Sequence, residues 1–237
     1  MAQKKLSIKI DGELVSATEG MTILQAARSA DKYIPTLCHL EGLTPVGACR
    51  VCIVEVSGTD RLFPACTTPA QDGMSVITNS PRLARYRKIS LELLLVERNH
   101  VCAVCVSNNH CELQAMASSM GINNVRYAYN YPKLPVDLSH PRYVLDHNRC
   151  ILCTRCVRVC AELEGAHVWD VTARGISARV VSDLNQSWGT STTCTNCGKC
   201  VQACPTGAMA EKGWAVEEMV KKQEKIEMLV RRKGVEA

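Results

Sequence analysis

The chain is 237 residues long, 46% hydrophobic but only 4% aromatic, with a net charge of +5 and 15 cysteines. The charge is spread along the sequence without a basic face interleaved with aromatics, which argues against nucleic-acid binding. The apolar run Leu93–Val96 falls far short of the roughly 20 residues that cross a bilayer, so no transmembrane segment is expected.

Cysteine at this density has two common readings. A secreted disulfide scaffold would begin with a signal peptide. Here Lys4 and Lys5 lead straight into alternating strand residues, and the cysteine count is odd. Metal binding in a reducing compartment is the expectation, which places the chain in the cytoplasm or peripherally at a membrane. With Phe63 its single phenylalanine, the core must be aliphatic and modest.

In "KLSIKI", Leu6, Ile8 and Ile10 alternate as one face of a half-buried strand. Asp11-Gly12 signals a hairpin turn, and "ELVSA" is the returning strand. Thr22 and Gln25 form a capping box for a helix over Thr22–Ser29, and Pro35 bars any continuation. "VCIVEV", Val51–Val56, predicts a strand. Ser80 followed by Pro81 predicts a helix start, and the helix runs to about Glu97, with Leu83, Ile89, Leu93, Leu94 and Val96 available for burial. A cysteine–histidine segment follows, then a short helix through "ELQAMASSM" closed by Gly121. Residues 122–147, with three prolines and four tyrosines, read as a connector of little regular structure. Trp214–Lys233 has helical spacing of Val216, Met219, Val220, Ile226, Leu229 and Val230. Glu217–Lys221, Glu218–Lys222 and Glu227–Arg231 stand as i,i+4 pairs. This helix packs on its own domain or docks on a partner. The class is α+β, in segments 1–80, 81–121, 122–147, 148–210 and 211–237.

The cysteines fall into sets. Cys150, Cys153, Cys156 and Cys160 follow Cys-x2-Cys-x2-Cys-x3-Cys, and Cys194, Cys197, Cys200 and Cys204 repeat it, with Pro205 next. This is the run of two-cluster ferredoxins, in which the fourth cysteine serves the other cluster. One [4Fe–4S] cluster is therefore expected on Cys150, Cys153, Cys156 and Cys204, and a second on Cys194, Cys197, Cys200 and Cys160. Structural zinc, which closes on paired Cys-x2-Cys units, fits two matched runs of four poorly. Cys38, Cys49, Cys52 and Cys66 are spaced x10, x2 and x13. Their middle pair agrees with the plant-type [2Fe–2S] pattern, and the preceding hairpin and helix are in the order of a β-grasp ferredoxin. Gly47 and Ala48 leave room for backbone N–H groups to approach sulfur. A zinc ribbon is the alternative there.

Cys102, Cys105 and Cys111 leave a site one ligand short, and histidine replaces cysteine in some clusters. His100, at the helix end just before the first thiol, is the first candidate for this [4Fe–4S] cluster. His110 comes second, because its side chain would have to turn against that of Cys111. A ligand elsewhere, such as His39 or His147, or none at all, stays open. Otherwise His39, His140, His147 and His167 read as ordinary surface or core residues.

Taken in order, these motifs resemble the cluster-bearing N-terminal region shared by the large iron–sulfur subunit of respiratory complex I, iron-only hydrogenases and the diaphorase of NAD-linked nickel–iron hydrogenases. The resemblance covers about residues 5–210. It implies a β-grasp [2Fe–2S] domain, a [4Fe–4S] site of one histidine and three cysteines, and a ferredoxin-like domain with two more [4Fe–4S] clusters. In the familiar form three residues separate the histidine from the first cysteine. Here Arg98 stands at that place, and His100 leaves one residue between. Because only a short helix follows Gly207, the chain looks most like the small diaphorase iron–sulfur subunits (U subunits) of bidirectional NAD(P)-linked nickel–iron hydrogenases.

The sequence has no G-x-G-x-x-G after a strand, no P-loop, no Ser–His–Asp set and no cysteine pair spare for nickel. What the resemblance implies is therefore a non-catalytic relay subunit of an oxidoreductase complex. Its partners would be a flavin- and NAD(P)H-binding diaphorase subunit and the small and large nickel–iron hydrogenase subunits, with ferredoxin as a further candidate. The alternatives are an equivalent relay in a formate dehydrogenase or complex I-like dehydrogenase and, in another class, a redox-sensing binding protein.

Overall fold

The computed structural model describes residues 4–232, which divide into two compact units, one of residues 4–39 and 45–91 and the other of 40–44 and 92–232. Both mix helix and sheet.

In the first unit, β1 (Lys5–Ile10) and β2 (Glu13–Thr18) form the expected hairpin. Asp11 turns it at φ +51°, and its carboxylate accepts from the amide and hydroxyl of Thr78 at 2.7 and 2.6 Å. Helix α1 (Ile23–Ser29) starts at the Thr22 cap, whose capping box with Gln25 is complete. The sheet adds β3 (Ile53–Val56), β4 (Leu62–Pro64) and β5 (Ser75–Ile77) in the order β2-β1-β5-β3-β4, with β1 and β5 parallel. Leu6, Ile8 and Ile10 meet Ile23, Leu24 and Ala27 in its core. Strand β3 begins two residues later than predicted. Arg50 has φ +56°, and the bend it makes takes Val51 and Cys52 out of the strand.

Helix α2 (Pro81–Val96) opens at Ser80, whose hydroxyl accepts from the amide of Leu83 at 3.1 Å. Leu83 and Leu91 are buried, while Leu93, expected inside, is 46% exposed. The position beside it explains the shift: Glu92 is fully buried and bound by the Arg126 guanidinium at 2.9 and 3.0 Å. A buried carboxylate needs such a partner, and facing it inward turns Leu93 out.

The second unit contains α3 (Glu112–Ser119), the sheet β10-β7-β6 (Met209–Glu211, Tyr143–Asp146, Val136–Asp137) and the hairpin β8–β9 (Trp169–Thr172, Arg179–Ser182). The stretch 122–147, read as a connector of little regular structure, thus carries two strands, and Tyr143 and Leu145 of β7 lie in the core. Its short helices α4 (Arg155–Arg158) and α5 (Lys199–Ala203) belong to the two cysteine runs. The runs share a backbone pattern: Leu152 and Thr154 have φ +51° and +58°, and their counterparts Asn196 and Gly198 have +56° and +69°.

The helix expected over Trp214–Lys233 is confined to α6 (Glu224–Arg232); Lys233 lies outside the described residues. Glu217 takes φ +68°, and the amides of Glu217 and Met219 donate to Cys105 and Val106 carbonyls at 3.2 and 3.0 Å. Those bonds replace helical ones, so Glu217–Lys221 and Glu218–Lys222 are not helix pairs. Ile226 and Val230 of α6 join the core of their own unit, and a Cβ on Gly42 would overlap Val230. The helix therefore packs at home, as the first of the two expectations had it.

Candidate metal centres

The described cysteines form four groups. In the first unit Cys38, Cys49, Cys52 and Cys66 are all buried. The Sγ atoms of Cys52 and Cys66 are 3.3 Å apart, and the Cys38 amide donates to Cys49 Sγ at 3.4 Å. Hydrogen bonds from Cys49 and then Cys66 hold the Cys38 thiol far down, to about 2, while the contact with Cys38 and burial push Cys49 up. Four crowded thiols cannot all ionise without a cation among them. The amides of Ala48 and Cys49 also point at Cys38. Gly47 permits this with φ +62° and the Thr67 hydroxyl 3.2 Å from where its Cβ would stand.

In the second unit His100, Cys102, Cys105 and Cys111 line one cavity together with Ser107, Arg149 and Gly207. The His100 ring donates to the Leu94 carbonyl, and burial lowers its pKa to about 4. Its Nε2 is buried and has no hydrogen-bond partner among the described residues. A neutral imidazole, fixed by one nitrogen and bare at the other, has the form of a metal ligand. His110 is exposed and does not line this cavity. Arg98, at the place of the familiar histidine, donates instead to the carbonyls of Glu97 at 2.9 Å and Ala178 at 2.8 Å. Cys111 caps α3. Burial pushes its thiol up to about 11, against the amides of Gln114 and Leu113 that point at it. A Cβ on Gly207 would stand 2.4 Å from Cys105 Sγ, so only glycine leaves that sulfur its place.

Cys204 lines a second cavity with Cys150, Cys153 and Cys156. Burial, then neighbouring thiol charge, pushes Cys150 to about 12 and Cys153 to about 11. Against burial, the Lys221 ammonium and the amides of Thr206 and Met209 bring Cys204 down. Arg155, 2% exposed, forms a bidentate pair with Glu112 at 2.7 and 2.8 Å beside these thiols. The last group is Cys160 with Cys194, Cys197 and Cys200: after burial, the charges of Cys197 and Cys194 push Cys160 up, and those of Cys197, Cys160 and Cys194 act on Cys200. Cys160 reaches this group from a π-helical turn, Val159–Glu164, a device frequent at functional sites. Cys204 thus shares a cavity with the first triplet, and Cys160 feels the charges of Cys197 and Cys194 of the second.

The donor chemistry fits iron–sulfur clusters. Three sulfurs and the His100 imidazole line one cavity and four sulfurs line another, backbone amides point at several of the thiols, and Gly207 leaves Cys105 its place. Sequence reasoning missed Lys221, which it places in a helix pair, and also Ser107, Gly207 and Arg155. Gly207, close after Cys204 and Pro205, carried the one local signal. His140 is a satisfied core residue: its Nδ1 accepts the amides of Arg142 and Tyr143 at 3.1 Å, and Nε2 meets Asn196 Oδ1 at 2.6 Å.

Known families match along the chain: a 2Fe-2S iron-sulfur cluster binding domain over residues 3–81, the NADH-ubiquinone oxidoreductase-G iron-sulfur binding region over 87–126, and the ferredoxin-like domain of NADH-quinone oxidoreductase subunit 3 over 141–210. The chain is 39% identical over 234 residues to NADP-reducing hydrogenase subunit HndD of Solidesulfovibrio fructosivorans, covering 93% of this chain and 39% of that protein. It is 32% identical over 208 residues to the gamma subunit of NAD-reducing hydrogenase HoxS of Cupriavidus necator, covering 87% of each. The alpha subunit of NADPH-Fe(3+) oxidoreductase of Geobacter sulfurreducens is 39% identical over 207 residues, 87% of this chain and 24% of that protein. The chain therefore spans well under two thirds of some relatives and most of another. A crystal structure of an NAD+-reducing [NiFe]-hydrogenase in the H2-reduced state contains a chain with TM-score 0.82 and 35% identity, covering 89% of this chain and 88% of that one.

Proposed function

The chain belongs to the family of the gamma subunit of NAD-reducing hydrogenase, and on that premise we propose that it relays electrons between a flavin-bearing NAD(P)H subunit and a nickel–iron hydrogenase module. The observation that carries this reading is the grouping of the cysteines into four sets, with Cys204 and Cys160 crossed between the runs. When bound, iron–sulfur clusters supply one-electron redox chemistry.

One [2Fe–2S] cluster is assigned to Cys38, Cys49, Cys52 and Cys66. Three [4Fe–4S] clusters are assigned to His100 with Cys102, Cys105 and Cys111, to Cys150, Cys153, Cys156 and Cys204, and to Cys194, Cys197, Cys200 and Cys160. The buried Nε2 of His100 supports its place in the second set. Each thiol pushed up by burial gives up its proton to become a ligand. Amides at Cys38 and Cys111 compensate thiolate charge, as Lys221 does at Cys204. Arg155, locked to Glu112, keeps a fixed positive charge beside Cys153.

Among the described residues no helix is long and apolar enough to cross a membrane, and we place the complex in the cytoplasm, with peripheral contact to a membrane compatible. A quinone-linked dehydrogenase as host is the second reading, favoured by the matches over 87–126 and 141–210 to cluster-binding regions of NADH-ubiquinone and NADH-quinone oxidoreductases. The test is reconstitution: the chain, mixed anaerobically with its flavin subunit and the hydrogenase module, should couple NAD(P)H oxidation to H2 formation. Reduction of quinone but no coupling to H2 would favour the second reading.

A further inference from the structure

Hydrogen bonds to sulfur help set a cluster's potential, and the second unit distributes side-chain donors unevenly. At the group of Cys160, Cys194, Cys197 and Cys200, two indoles take part. Trp188 Nε1 donates to Cys194 Sγ at 3.4 Å, and the Trp169 indole stands near enough to Cys200 to lower its thiol against burial. The two rings meet edge to face with centroids 4.7 Å apart, and they are only 1% and 4% exposed.

The pair is rigidly backed. Tyr143 stacks on Trp188 at 5.4 Å and His140 lies against it at 4.6 Å. The Trp188 amide is fixed by Asp137 Oδ2 at 2.7 Å. Filling a core asks only for an apolar ring. A buried indole N–H also needs an acceptor, and for Trp188 that acceptor is a thiol sulfur of this group. At the group of Cys150, Cys153, Cys156 and Cys204 the side-chain donors differ. The Thr206 hydroxyl lies 3.7 Å from Cys204 Sγ, but its proton goes to the Arg149 carbonyl at 2.7 Å. Lys221 and Arg155 supply charge there instead.

We propose that Trp188 and Trp169 are positioning residues that raise the reduction potential of the centre on Cys160, Cys194, Cys197 and Cys200. This rests on the reading that these four thiolates hold an iron–sulfur cluster. One electron delivered by an external reductant to a cluster held there would add one negative charge, shared by the sulfurs. An N–H bond to a more negative sulfur is stronger, so both indoles favour the reduced form. They touch neither hydrogen nor nicotinamide; their effect is on how readily this stop on the relay accepts its electron.

The experiment is an anaerobic EPR-monitored redox titration of the cluster-loaded complex, comparing wild type with Trp188→Phe and Trp169→Phe. Phenylalanine keeps an aromatic ring and removes the N–H. Each variant should move the midpoint of one [4Fe–4S] centre to more negative values by about a tenfold bias, ~59 mV for a one-electron couple, and leave the other centres in place. Trp214→Phe serves as control, because Trp214 is 45% exposed and donates to Glu211 at 3.3 Å; its midpoints should match wild type. The two variants are tested separately, so a folding defect in one leaves the other decisive. A variant with full iron content and unchanged midpoints would overturn the proposal. A wild-type complex with no [4Fe–4S] signal dependent on Cys194, as judged by Cys194→Ser, would instead overturn the cluster reading beneath it.

Discussion

Cys204 of the second cysteine run lies in the same cavity as Cys153 of the first, and after burial its charge is the main influence that pushes the Cys153 thiol up to about 11. In the other direction, the charges of Cys197 and Cys194 push Cys160 up. Cys160→Ala should therefore cost the cluster on Cys194, Cys197 and Cys200 and spare the one on Cys150, Cys153 and Cys156. EPR of the reduced protein distinguishes them; loss of the signal tied to Cys153 instead would reverse the assignment.

His100 presents a buried, bare Nε2 to the cavity of Cys102, Cys105 and Cys111. His100→Cys should keep a four-iron centre but lower its midpoint, because an anionic thiolate replaces a neutral imidazole. A redox titration in which every midpoint matches wild type would remove His100 from the ligands.

Gly207→Ala places a methyl group 2.4 Å from Cys105 Sγ. Iron should fall by about four atoms per chain, the content of one [4Fe–4S] centre, with the remaining EPR signals intact. Full iron in this variant would show that the Cys105 loop can shift without cost.

Ile226 of α6 is 1% exposed within the core of the second unit. Ile226→Ala should destabilise that unit by about 2–5 kcal/mol, read as a lower thermal midpoint of the isolated chain. An unchanged midpoint, with complex assembly weakened, would return the helix to a docking role.

Burial raises Cys150 to about 12 and Cys153 to about 11, so the metal-free thiols are protonated at neutral pH. Loading must then release about one proton per thiol, and iron uptake should strengthen as pH rises from 6 to 9. Uptake that is flat over this range would mean that the thiols are already ionised.

Local signals were legible in the sequence. The Thr22–Gln25 capping box, the Asp11 turn and the Ser80 cap depend on residues a few positions apart, and each formed as read. Cysteine spacing showed which thiols one short loop brings together, as it does Cys150, Cys153 and Cys156. Long-range choices were not legible. Helical periodicity over Trp214–Lys233 gave no warning that the Glu217 and Met219 amides bond to Cys105 and Val106, nor that Lys221 turns toward Cys204. Leu93 looked as buriable as Leu83 until Arg126, far along the chain, drew Glu92 inward.

On the proposed function, this chain holds four clusters and performs no chemistry on nicotinamide or hydrogen itself. Anaerobic iron and sulfide analysis of the purified chain, alongside NAD(P)H oxidation and H2 assays, tests it most directly. Expected are about 14 irons per chain for one [2Fe–2S] and three [4Fe–4S] centres, reduction by a strong chemical reductant, and no activity with NAD(P)H or H2 alone. Tightly bound flavin, intrinsic NAD(P)H oxidation, or zinc in place of iron would contradict it.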